Sequence, residues 1–233
     1  MKRHKLSKEY LPILRQYGLS HLPLESLYLL HFDRGVYLYR SDTKPEYLMI
    51  VVRGRAKVCR ASENGKNLML AFYSGTGLMG EVELMLNSEV ATSDAQVISP
   101  FVAVGIPLSL SSELLSSPTF IRIVAQGLAR NVDHNSQNMV TTMLNPLEAR
   151  LCSYISIMQI DGWFCEKLTE LAELMGTSYR HLLRTLNTLC DTGVLHKERN
   201  RYYIIDAPAL KRLGGDTYQF TGGSASVQTL EAF

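Results

Sequence analysis

The sequence predicts an α+β chain made of an N-terminal antiparallel β-roll, one long helix and a C-terminal winged helix-turn-helix. Three observations predict it. Residues 25–106 form a succession of short runs rich in Val, Ile, Leu and Tyr, punctuated by turn residues. Beyond residue 118 the apolar spacing lengthens from two to three and four, the period of a helix. Between residues 168 and 204, two amphipathic stretches flank a glycine and lead into a short hairpin. With 233 residues, 46% of them apolar, the chain can bury a core without disulfide staples.

The strands are "SLYLLHF", "GVYLYR", "YLMIVVRGRAKVCRA", "NLMLAFYS" and "AQVISPFVAVGI". Asn64-Gly65 lies between two of them and suits a type I′ hairpin turn, where both central residues need positive φ. Strands at this spacing suggest a sandwich, jelly roll or barrel, arrangements that limit exposed sheet edges. The long helix follows. Ile121, Ala125, Leu128, Val132, Asn135, Met139 and Thr142 recur at alternating four- and three-residue steps, a heptad seam with Asn135 at one core-type position. Pro118 and Pro146 lie near its ends. A helix packed on its own β domain and a parallel dimer seam both fit this pattern, and both hold if they use different faces. The final stretch, "GGDTYQFTGGSASVQTLEAF", is polar and Gly/Ser-rich and is expected to be a flexible tail. The resulting division is residues 1–117 for the roll, 118–145 for the dimerisation helix and hinge, 146–213 for the winged helix-turn-helix, and 214–233 for the tail.

No run approaches the roughly 18 to 20 apolar residues that span a bilayer, and the basic opening "MKRHKLSKEY" leads into no apolar signal region. A cytoplasmic chain with no membrane partner is expected. Cys59, Cys152, Cys165 and Cys190 are spread singly, so they are read as buried or half-buried thiols, with no metal site and no cofactor. The net charge of +2 is too small to announce nucleic-acid binding. Its distribution is more telling: residues 176–203 hold five basic and two acidic side chains.

Leu168, Leu171, Ala172 and Met175 fall at i, i+3, i+4 and i+7 and form one apolar stripe. Gly176 suits the break, and Ser178 suits the N-cap of the next helix. In that second helix Leu182, Leu183, Leu186 and Leu189 make the core face, and Gly193 makes the stop. Arg180, Arg184 and Asn187 recur on the opposite face, with Tyr179 at its N-terminal end. Arginine and asparagine are the side chains that make paired hydrogen bonds to guanine and adenine edges in the major groove. "GVLHKERNRYYII" then reads as two short strands joined near Asn200, with Lys197, Arg199 and Arg201 at the tip to meet phosphate.

A β-roll, one long helix and a winged helix-turn-helix in this order resemble the cyclic AMP receptor protein/FNR (Crp/Fnr) superfamily of bacterial transcription regulators over roughly residues 25–210. "LTELAELMGTSYRHLLRTL" resembles the family's DNA-reading helices, and "GLMGEVELML" resembles the segment around its ligand pocket. "GEVEL" and "TSYRHLLR" are particularly similar to the YeiL-like branch. The resemblance implies a roll of the cyclic-nucleotide-binding jelly-roll type. It puts Tyr179, Arg180 and Arg184 where the family reads bases and Ser178 where it contacts the backbone. It also implies a homodimer joined through the long helix at residues such as Ile121, Leu128, Val132, Asn135 and Met139, acting on inverted repeats in double-stranded DNA. RNA polymerase is a further partner it allows.

One departure bears on the ligand. In cyclic-nucleotide-binding members a glutamate takes the ribose hydroxyl, while an arginine followed by a small hydroxyl residue holds the cyclic phosphate. Gly80 and Glu81 match the first feature, whereas the arginine position falls on Val90 and its neighbour on Ala91. No other Arg or Lys lies between Gly75 and Pro100. A buried phosphate without a cation lacks the charge-assisted bonds that offset its desolvation. The expectation is a sequence-specific, non-enzymatic DNA-binding regulator whose roll senses an unidentified effector or serves as a platform without cyclic nucleotide, with Glu81 and Glu83 as plain acids at a turn. A cyclic-nucleotide-responsive regulator remains an alternative, as does one responding through an iron–sulfur cluster or haem. From a different class, a cupin-like metalloprotein would need clustered histidines, whereas the roll offers His31 with His21 just before it.

Overall fold

A computed structural model of the chain describes residues 1–61, 67–215, 217–218 and 220–221. The described residues form two compact units. The first holds residues 1–58, 72–134 and 220–221; the second holds 59–61, 67–71, 135–215 and 217–218.

The first unit contains strands β1 (Lys2–Lys5), β2 (Tyr28–Phe32), β3 (Tyr37–Tyr39), most of β4 (Tyr47–Ala61), the end of β5 (Asn67–Ser74), β6 (Gly77–Met79), β7 (Asp94–Pro107) and β11 (Phe220–Thr221). They belong to one sheet in the order β1-β2-β7-β4-β5-β11, with β3 beside β7 and β6 beside β4. Strand period explains why the sheet has two buried faces. Along β4, Leu48 and Ile50 join one core cluster while Met49 and Val51 join the other. Along β7, Val104 and Ile106 face the first, whereas Ala95, Val97, Phe101 and Ala103 face the second. The second cluster also holds Leu30, Phe32 and Met79. The first is roofed by helices α1 (Leu11–Gln16), α2 (Glu81–Leu86), α3 (Ser111–Leu115) and the start of α4 (Pro118–Leu144), through Leu14, Leu84, Leu114, Phe120 and Val124. All five strands read from the sequence are present. Strands β1 and β6 carry no comparable signal, because β1 is wholly exposed and basic and β6 has only three residues. Asn64-Gly65 lies outside the described residues.

The second unit is built on α5 (Leu147–Met158), whose Leu151, Cys152, Tyr154 and Ile155 are fully buried. Helix α8 (Ala207–Gly214) crosses it closely enough that a Cβ on Gly214 would meet the Ser153 backbone nitrogen at 2.6 Å. Between them in sequence lie β8 (Trp163–Phe164), α6 (Leu168–Leu174), α7 (Tyr179–Asp191), β9 (Leu195–Glu198) and β10 (Arg201–Ile204), the strands forming a small sheet in the order β8-β10-β9. Two described residues within the stretch read as a tail make specific hydrogen bonds. The Thr217 hydroxyl donates to the Gly214 carbonyl at 2.7 Å, and the Tyr218 amide donates to Ser153 Oγ at 3.1 Å, so this segment is held against α5. Residues 222–233 lie outside the described residues. Cys59 and Cys152 are buried and Cys190 is half-buried, as expected, but Cys165 is exposed because it sits in the link before α6.

Phe120 anchors α4 to the roll and is fully buried. Replacing it with Ala should cost about 3 to 5 kcal/mol in denaturant unfolding, the typical penalty for emptying a buried aromatic site.

Candidate nucleic-acid interface and roll site

Helix α6 leaves its last carbonyls to a tight turn. The Thr177 amide donates to the Ala172 carbonyl at 2.9 Å, with Gly176 at φ +59°, a conformation that costs glycine little. Arg150 on α5 donates from Nη1 to the Met175 carbonyl at 2.9 Å, so the turn is tied to the unit's central helix. Sequence reading missed Arg150, since nothing local links it to a carbonyl 25 positions away. Ser178 starts α7 with extended backbone, and its Oγ accepts from the His181 amide at 3.2 Å.

Helix α7 is sharply two-faced. Leu182, Leu186 and Leu189 are fully buried and Leu183 is half-buried. Thr185, also buried, satisfies its hydroxyl by donating to the His181 carbonyl at 3.1 Å. Tyr179, Arg180, Arg184 and Asn187 are all exposed, as are Ser178 and His181. The turn of the β9–β10 hairpin lies at Arg199-Asn200, where Arg199 has φ +53°. Lys197 and Arg199 are exposed. Arg201 is held differently: its Nη2 lies 3.1 Å from a Glu198 carboxylate oxygen, and its guanidinium sits 3.8 Å from the Trp163 ring centroid. Trp163 is a partner that the sequence did not single out. A cavity of 540 Å³ opens among α7, the hairpin and the start of α6, lined by Lys167, Tyr179, Lys197, Arg199, Asn200 and Tyr202 among others. Lys167 thus adds a cation that the sequence reading passed over.

In the roll, Gly80 takes φ +93° and introduces α2. Glu81 and Glu83 are not plain turn acids: both are buried, because α2 turns their side chains inward. The Glu83 carboxylate accepts from the Thr92 amide at 2.9 Å and the Thr92 hydroxyl at 2.8 Å. Glu81 accepts a longer bond, 3.3 Å, from Asn131 Nδ2 on α4. Burial, with a smaller push from Glu83, raises the Glu81 carboxyl to about 7. Burial and then Glu81 raise Tyr17 to about 12, and the same two causes raise Tyr39 and Tyr73. Val90 is exposed and Ala91 buried, with the Ala91 amide donating to the Thr43 carbonyl at 2.8 Å. Among the described residues, no group of three or more His, Cys, Asp or Glu is gathered to hold a metal, and no helix is long and apolar enough to cross a membrane.

Residues 29–118 match the cyclic nucleotide-binding domain family, and residues 149–213 match the Crp-like helix-turn-helix domain family. The regulatory protein YeiL of Escherichia coli O157:H7 is 28% identical over 79% of this chain and 84% of its own length. A crp/fnr-family regulator from Eubacterium rectale superposes with a TM-score of 0.72 at 14% identity, covering 84% of this chain and 93% of the other. A CRP-family regulator from Thermus thermophilus gives 0.62 at 17% identity, covering 83% and 98%. The chain belongs to the Crp/Fnr superfamily of transcription regulators.

For a Crp/Fnr chain, the face used by the long helix matters. On α4 the seam residues divide. Ile121 and Leu128 are half-buried beside Phe120 and Val124 and belong partly to the roll's own core, whereas Val132 and Asn135 are exposed. The Met139 side chain lies outside the described residues. Phe120 and Val124 join Leu128 of the heptad in an i, i+4, i+8 row; these two residues the heptad reading did not pick out, although their spacing was there to be found.

Two outcomes follow from this geometry. Ser178→Ala should lower stability by about 1 kcal/mol through loss of the cap, measured by chemical denaturation. Because Glu81 holds its proton to about pH 7 when folded but releases it near the usual carboxylate value when unfolded, wild-type stability should fall between about pH 4.5 and 7 and then level off. Glu81→Gln should flatten that window and be the more stable protein above pH 7.

Proposed function

We propose that this Crp/Fnr regulator acts in the cytoplasm as a homodimer on an inverted-repeat site, with α7 of each protomer in a major groove. The observation that carries the reading is the separation of faces on α7: Leu182, Leu186 and Leu189 are buried while Arg180, Arg184 and Asn187 are exposed. Those three side chains, with Tyr179, are assigned to base edges. Ser178, Lys197 and Arg199 are assigned to phosphate, where they position the helix without selecting sequence. Arg201 joins them once released from Glu198, an exposed pair of the kind worth about 0 to 1 kcal/mol. The exposed stretch of α4 from Val132 supplies the dimer seam, with Asn135 setting the register. Two protomers then present their recognition helices about one helical turn of DNA apart.

The roll is assigned no cyclic nucleotide. Supporting this, its family-matched phosphate position is Val90, its interior carries two buried carboxylates, and residues 75–100 contain no Arg or Lys. Bringing a phosphate next to Glu81 and Glu83 adds like charge to a desolvated site. The protein works through DNA binding and not through catalysis.

Arg184→Ala should weaken binding to a selected site by about 1 to 3 kcal/mol and relax base preference at one position per half-site. Arg199→Ala should weaken binding on all sequences alike, and both changes can be read by fluorescence anisotropy on matched and single-mismatch duplexes. Unchanged preference in Arg184→Ala would overturn the assigned register. Sedimentation at micromolar concentration should give a dimer; a monomer that occupies single half-sites would remove the α4 seam.

A further inference from the structure

The roll's sheet ends on a basic strand. Strand β1, with sequence Lys2-Arg3-His4-Lys5, forms its edge and is exposed along its whole length. Period-two geometry puts Lys2 and His4 on one side of this edge and Arg3 and Lys5 on the other. On the first side, the His4 and His31 rings meet edge to face at 5.5 Å. Burial, and after it the nearby charges of His4, Arg53 and Lys2, lower the His31 imidazole. On the second side, Arg3 donates from Nη1 to the Tyr47 hydroxyl at 2.9 Å, and its guanidinium lies 4.7 Å from the Tyr28 ring centroid. Lys5 Nζ lies 4.6 Å from the same ring and donates to the Glu25 backbone carbonyl. Among the described residues none of Lys2, Arg3, Lys5 or Arg53 forms an ion pair with a carboxylate.

Lysines on an edge strand ordinarily keep other strands from adding to it. That role needs charge but no fixed geometry. Here Arg3 and Lys5 are pre-set over one tyrosine, which lowers the entropy lost when an anion is bound. Four residues also give little backbone for strand addition, so the cations and not the ladder are the binding feature. A phosphate backbone, a row of regularly spaced anions, fits a cationic edge charged on both sides.

We propose that the β1 edge is a second nucleic-acid surface of this regulator, one that takes the phosphate backbone of duplex DNA without reading its sequence. It rests on the chain being a DNA binder but not on which bases α7 reads, and Arg184→Ala tests that separately.

The test compares the full-length chain with Lys2→Gln/Arg3→Gln/Lys5→Gln, titrated at several salt concentrations against a duplex of unselected sequence and one carrying the selected site. Because each phosphate contact contributes about 0.9 to the slope of log affinity against log salt, the variant's slope should be shallower by about 2 to 3. Base preference should stay as in the wild type. As Arg3 also braces Tyr47, a second variant, Lys2→Gln/Arg53→Gln, should lose about 2 from the slope with an unchanged thermal midpoint. If both variants keep wild-type affinity and slope on both duplexes, the charges only guard the edge and the proposal is wrong. It is also wrong if a polyglutamate peptide binds the wild type but not the triple variant while the DNA slopes are unchanged, which would assign the edge to an acidic protein partner.

Discussion

Burial of Leu182, Leu186 and Leu189 sets the rotation of α7, and what the DNA-binding unit offers to a duplex follows from that rotation. Each buried leucine contributes about 1.5 to 3 kcal/mol relative to exposure, so turning the helix to hide its arginines would forfeit the core. The turn before it is held as firmly. Arg150 reaches from α5 to the Met175 carbonyl, and Ser178 closes the first turn of α7. These bonds end on backbone groups of the turn and the first turn of α7, and so fix where Arg180 and Arg184 emerge. Beside it the basic hairpin holds Arg201 braced on Trp163 and Arg199 at the turn itself.

The roll is organised around the opposite sign of charge. Glu81 and Glu83 lie inside it, one sharing a bond with Asn131 of α4 and the other satisfied by Thr92. Hydrogen bonds from Thr92 offset much of the cost of burying Glu83, whereas burial of Glu81 outweighs the bond from its own backbone amide and keeps its carboxyl protonated to about neutrality. A site of this kind is suited to hydrogen-bond donors and ill suited to a phosphate. The Glu81–Asn131 bond also joins the Gly80-Glu81 segment to the long helix, so α4 is attached to the roll at a polar point as well as at Phe120 and Val124.

Much of this was legible in the sequence because it rests on local periodicity. Strands β2, β3, β4, β5 and β7, the two-faced α7, the cap at Ser178 and the hairpin near Asn200 each repeat a short-range pattern. What escaped depends on contacts distant along the chain. Arg150 and Trp163 look ordinary until their partners are known, and burial of Glu81 cannot be read from "GEVEL", which shows an acid pair but not the inward turn of α2. On α4, Ile121 and Leu128 of the heptad pack against the roll's own core, and Phe120 and Val124 lie in a row the seven-residue repeat skips. A helix that packs on two partners carries two superposed patterns, and the coiled-coil template isolates only one of them.

The most direct measurement is selection of DNA sites from a random pool by the full-length chain in three arms: protein alone, protein with cyclic AMP, and protein with cell extract. If α7 reads bases in a dimer and the roll has no place for a cyclic phosphate, the extract arm should yield an inverted repeat with half-site centres about one helical turn apart. The cyclic AMP arm should then match protein alone. Enrichment of an asymmetric site, or convergence that requires cyclic AMP, would contradict that reading.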